Sequence, residues 1–159
     1  MPDLLQVFVD DIDSRVAGYP GLVELFEHWK TLRGERSMPQ RSDFDPINVP
    51  RLLSAICLVE VIDGGSDYYY RVAGSRLEDM TGQKMQNRLF SEITHVEARA
   101  SMTATCEACV QSAGPVVIKN QLREPDRDHM SITAIILPLS DDGETVNMIL
   151  TLTEFEDAS

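Results

Sequence analysis

Cys106 and Cys109, in "CEAC", stand at the spacing of a redox or metal-binding pair. A reactive pair needs a helix N-terminus, where the dipole lowers the thiol pKa. These two lie about three turns inside a helical pattern, so they are expected as buried cysteines acting as small apolar residues. Zinc would need two further ligands, and His28, His95 and His129 show no matching spacing, so no metal site is expected. Arg33, Arg36 and Arg41, with Arg51 just beyond, crowd the stretch "LRGERSMPQRSDFDP" at 32–46. Their guanidinium forks could hold a carboxylate or phosphate. Alternatively they pair with Glu35, Asp43, Asp45 and loop carbonyls and form the framework of an irregular connection. No nucleophile elbow, phosphate-binding glycine loop or paired metal motif stands out, so the chain is not expected to be an enzyme.

The elements that must position these groups follow from periodicity. Leu5, Phe8, Val9, Ile12 and Val16 recur at helical spacing, which predicts a leading helix over 4–16. "YPG" breaks it, and Leu22, Leu25, Phe26, Trp29 and Leu32 mark a second helix, 22–33, ending at Gly34. Asp45 followed by Pro46 has the order of an N-cap and first helical residue. Residues 56–62 and 68–73, rich in β-branched and aromatic side chains around "DGGSD", predict a hairpin. Ser75 with Glu78, and Thr94 with Glu97, read as capping boxes for a short helix and a long one. The long helix ends at Gly114 and Pro115, with Met102, Cys106, Cys109, Val110 and Ala113 on its buried stripe. Three strands follow, 116–122, 131–139 and 146–155, separated by "REPDRD" and "SDDGE". Strands separated by a helical block predict an α+β fold with one antiparallel sheet. "ITAIILPL" and "VNMILTL" are apolar on both faces, so both faces of that sheet need a cover.

At 159 residues the chain suits one domain with its own core. A net charge of −12 argues against nucleic acid and anionic membrane surfaces as partners, since both demand an excess of Lys and Arg. No basic leader with an apolar core precedes the first predicted element, and no apolar run reaches the roughly 18–20 residues that span a bilayer. With Cys57, Cys106 and Cys109 making an odd count, a reducing, cytoplasmic location is expected.

In this order of elements the chain resembles a PAS domain, and "YYYRVAGSRLEDMTGQ" is similar to that family's strand-to-helix passage. Trp29, "LRG" at 32–34, Arg36, "MP" at 38–39, Arg41, "DFDP" at 43–46 and "LL" at 52–53 resemble single-domain bacterial PAS proteins seen mainly in alphaproteobacteria. The resemblance covers roughly 22–155. It implies a five-stranded antiparallel sheet with helices on one face enclosing a pocket, a helical extension over 1–21 and a tail at 156–159. It further implies a regulatory or sensory module that binds a small apolar ligand, a protein partner, or both, and signals through protein contacts. A homodimer through the N-terminal helices and the outer sheet face is the expected assembly, with Leu5, Phe8, Ile12 and Trp29 at that surface. A pure interaction domain with a filled core is the alternative; a small ligand-binding enzyme is a weaker one.

Alternation and helix phase place Tyr70, Val72, Leu77, Met80, Met85, Phe90, Met102, Cys106, Ile136, Met148 and Leu150 toward the space between sheet and helices. Methionine adapts to irregular gaps, and apolar spaces with few polar groups are the usual small-molecule sites. In some PAS domains a histidine on the long helix binds haem, but His95 lacks a supporting pattern and is expected to be exposed or capping. The cysteine motif of flavin-binding light sensors is missing from "KMQNRLFSE", so neither haem nor flavin is expected.

Overall fold

A computed structural model describes residues 5–122 and 130–157. The "REPDRD" turn at 123–128, His129, residues 1–4 and residues 158–159 lie outside the described residues.

The expected leading helix is divided. Gln6–Phe8 is a strand, β1, and only Ile12–Val16 is helical, α1. The run "QVFV" has β-forming side chains, and pairing with a sheet edge satisfies its backbone groups as a helix would. Asp11, at φ 54°, sits in the left-handed region that ends one element and starts the next. α2 spans Pro20–Arg33, with proline at the first turn and Gly34 beyond its end at φ 61°.

Three 3₁₀ turns, Arg41–Asp43, Pro46–Asn48 and Pro50–Leu52, then lead to β2, Ile56–Ile62. The Asp45 carboxylate accepts from the Ile47 N–H at 3.0 Å, so the expected cap is made, on a 3₁₀ turn. β3 is Asp67–Ala73 and α3 is Ser75–Thr81. Gly74, rather than Ser75, is the N-cap of α3, and the Glu78 carboxylate accepts from the N–H groups of Met85 (2.8 Å) and Gln86 (3.1 Å) instead of closing a capping box. α4, Val96–Ser112, is capped by His95, whose Nδ1 accepts from the Ala98 N–H at 3.1 Å; the expected Thr94 box is not formed. β4 (Val116–Leu122), β5 (Met130–Leu139) and β6 (Met148–Asp157) complete the chain, so 156–157 belong to a strand and not to a tail.

The strands form one antiparallel sheet in the order β1-β4-β5-β6-β2-β3, six strands where five were expected; β1 is the addition, pairing Gln6 with Lys119 and Phe8 with Val117. On one face lie α3 and α4. The other is covered by α2: the Trp29 indole N–H donates to the Pro138 carbonyl of β5 at 2.9 Å, and Gly21 lies against Leu52 and Leu152. Leu22, Leu25 and Trp29 are fully buried there. Apolar side chains on both faces of β5 and β6 thus each meet a helical layer.

Candidate functional site

Between the sheet and the α3–α4 layer lies a partly open cavity of about 190 Å³. Tyr70, Leu77, Met80, Met85, Phe90, Met102, Cys106 and Ile136 line it. Two of its lining rings, Tyr70 and Phe90, lie 5.0 Å apart between centres, and Tyr68, outside the lining, packs 5.3 Å from Phe90. Burial pushes the Tyr70 phenol well above its usual pKa and the Tyr68 phenol up to about 12, so both are neutral hydroxyls at neutral pH. Further lining residues are Leu5, Val59, Ile118, Ile132, Ala134, Thr151, Thr153 and Phe155, and the outer rim includes Gln83, His95, Ser101, Asn120 and Gln121.

Val72, Met148 and Leu150 do not line this space. At Val72 the cause is a β-bulge: Val59 pairs with Tyr70 and Leu58 with Val72, leaving Arg71 as an extra residue. Tyr70 and Val72, two apart and expected on one face, therefore fall on opposite faces, and Val72 is exposed. On β6 the phase is one residue from that expected. Ile136 pairs with Thr151 on the cavity face, which sends Leu150 and Met148 to the face of α2. Because both faces are buried, apolar character could not distinguish them; only the cross-strand register does.

The surface expected at Leu5, Phe8, Ile12 and Trp29 is also revised. Trp29 has no solvent exposure and is a core residue under α2. Leu5, Phe8 and Ile12 are partly buried against their own chain's core, with the Arg15 guanidinium 3.8 Å from the Phe8 ring centre. The exposed apolar residues at this edge are Val7 and Val9.

The arginines are tied into the chain. Arg36 pairs with Asp43 at 2.9 Å and donates to the carbonyls of Leu32 and Arg33 that end α2. Arg41 donates to the Phe44 carbonyl at 2.9 Å, and Arg33 stacks over Trp29 at 5.0 Å. Backbone donation from Gln40, aided by Arg36, holds Asp43 below the usual carboxylate range. Ser37 and Ser140 then bind this loop to the β5–β6 turn through the carbonyls of Gly143 and Pro39. These contacts favour the framework reading over the anion site.

Cys57, Cys106 and Cys109 are free and buried, and burial pushes all three thiols up. None has the electropositive, exposed setting of a reactive cysteine. Among the described residues no group of three or more His, Cys, Asp or Glu side chains is placed to hold a metal ion. No helix among them is long and apolar enough to cross a membrane.

No curated protein matches the chain. Among solved structures, the PAS domain of a protein from Colwellia psychrerythraea is similar, with a TM-score of 0.50 at 10% identity over 71% of this chain and 98% of that one. A sensory box histidine kinase/response regulator from Burkholderia thailandensis is similar at a TM-score of 0.43 and 11% identity, over 71% of this chain and 86% of its own. The PAS domain family model matches residues 19–153, from the end of the first helical segment through most of β6, and the chain accordingly belongs to the PAS domain family.

Proposed function

We propose that this chain is a sensory and regulatory module that admits a small, largely apolar molecule between its sheet and the α3–α4 layer and signals through protein contacts. The observation that carries the reading is the cavity of about 190 Å³ walled by Tyr70, Met85, Phe90, Met102 and Cys106. That volume is comparable with an engineered apolar cavity of about 150 Å³ that takes up benzene. Ligand binding shifts the population of helical-layer arrangements, because an occupant favours the arrangement that fits it. The partner is a second copy or another protein that meets the β1 edge, where Val7 and Val9 are exposed.

The reading is non-catalytic and without haem or flavin, and it favours a reducing, cytoplasmic setting because three buried thiols stand unpaired. The test is native mass spectrometry of the purified protein before and after denaturation. A small molecule released on unfolding supports sensing. A bare protein that also gains no mass from a panel of apolar compounds overturns it in favour of a pure interaction domain.

A further inference from the structure

One polar group of the cavity wall narrows the class of occupant, an inference that rests on the sensory reading above. Two tyrosine hydroxyls, those of Tyr68 and Tyr70, hydrogen-bond no group among the described residues. That of Tyr68 is sealed among packed atoms and lies outside the cavity lining. That of Tyr70 is not sealed, and Tyr70, only 6% exposed, is part of the wall. Thr105, a second buried hydroxyl of the wall, is already committed, donating to the Ser101 carbonyl at 2.8 Å. The Tyr70 hydroxyl is therefore the buried donor that an occupant can use.

The backbone on either side of that hydroxyl is held in place. The Tyr70 N–H donates to the Arg88 carbonyl at 3.0 Å, the Tyr70 carbonyl accepts from the Asn87 N–H at 2.8 Å, and the ring packs 5.0 Å from Phe90. Burial first, then the Cys57 and Cys106 thiols, raises the phenol well above its usual range, so it keeps its proton at neutral pH and acts as a donor. A buried hydroxyl without a partner costs stability, and an acceptor on the occupant offsets that cost on binding. A donor already held in position loses little freedom when it binds. Val59, Met85, Phe90 and Ile136 in the same wall offer the occupant apolar contact.

We propose that Tyr70 anchors the occupant, its hydroxyl donating to an oxygen acceptor, such as a ketone or ester carbonyl, on an otherwise apolar molecule. The test is calorimetric titration of the full chain, dialysed free of small molecules, with two probes of one shape: acetophenone, and isopropenylbenzene, in which a methylene replaces the carbonyl oxygen. Each is titrated into the parent and into Tyr70→Phe, which removes the hydroxyl and keeps the ring. Acetophenone is expected to bind the variant about tenfold more weakly than the parent, and isopropenylbenzene to change by less than about threefold. Because the hydroxyl bonds nothing in the free chain, the urea midpoint of Tyr70→Phe is expected not to fall.

Equal weakening of both probes would make Tyr70 a plain wall residue, and no change in either would leave its hydroxyl to water; each result overturns the anchor and leaves sensing intact. A fall in the urea midpoint would give the hydroxyl to the fold and overturn it too. If neither probe binds the parent, the molecule released in native spectra carries the test: its loss from a Tyr70→Phe variant of unchanged stability supports the anchor, and undiminished copurification overturns it. If no probe binds and no molecule is released, the sensory reading falls as well.

Discussion

Alanine in place of Gly74 probes a close backbone approach at the start of α3. Gly74 has φ −58° and ψ 142°, which alanine adopts without strain, so space alone decides the outcome. A Cβ there would stand 2.4 Å from the Ser54 carbonyl oxygen and 2.9 Å from that of Ile56. Both are backbone atoms and cannot swing aside. Reaching ordinary contact requires a retreat of roughly 1 Å, which strains the 2.9 Å bond from the Arg76 N–H to the Ser54 carbonyl. Overpacking costs about 1–3 kcal/mol and the weakened bond about 1 kcal/mol. The narrower unfolded ensemble of alanine offsets about 0.5–1 kcal/mol. A net loss of about 2 kcal/mol follows, with a fall in Tm of roughly 4–8 °C for a chain of this size. Urea unfolding followed by the fluorescence of Trp29, the single tryptophan, measures it. A Gly74→Ala variant within about 0.5 kcal/mol of the parent would refute the close packing of α3's start on the residues leading into β2, and with it the placement of Leu77 and Met80 in the cavity wall.

Acid should destabilise the fold in a defined window. Glu78, held low by the N–H groups of Gln86 and Met85, and Asp142, held at about 2 by those of Thr145 and Glu144, bind protons more readily when unfolded. Their contribution is complete above about pH 4.5 and is lost as the pH falls through the depressed values. The urea midpoint should drop across that window, and less steeply in Glu78→Gln; a flat profile contradicts the assignment. A thiol reagent should label Cys57, Cys106 and Cys109 slowly in the native protein and rapidly in denaturant, because burial keeps them protonated; fast native labelling would contradict their burial. If Val7 and Val9 form the contact between copies, Val9→Lys should lower the molar mass seen by light scattering while leaving the urea midpoint unchanged, and an unchanged dimer would move the interface elsewhere.

Much of this architecture was legible because local chemistry and tertiary context agree. The β-branched run 56–62 is a strand to the residue, and the stripe Leu22, Leu25, Phe26 predicted both α2 and its buried face. The failures share a cause: the deciding information is non-local. Arg71 is a bulge only relative to β2, and the phase of Leu150 is set by its register with Leu137. Trp29, read as a contact surface, is claimed by a carbonyl more than a hundred positions away, at Pro138. "QVFV" carries apolar spacing compatible with a helix, and the open edge of β4 decides for a strand.

The strand order also has a consequence for how the molecule is made. β6, the last strand along the chain, lies between β5 and β2, with Leu152 opposite both Ile135 and Ile56. Until it emerges during synthesis, β2 and β3 are an isolated two-stranded ribbon, and such ribbons are marginally stable in water. Closing the sheet then requires contacts between distant parts of the chain, which slows folding. β1 joins an outer edge, and removing it leaves a continuous five-stranded sheet. Losing β6 divides the sheet in two, so a ribosome that stalls before that strand releases a chain with unpaired edges and exposed apolar faces, open to aggregation.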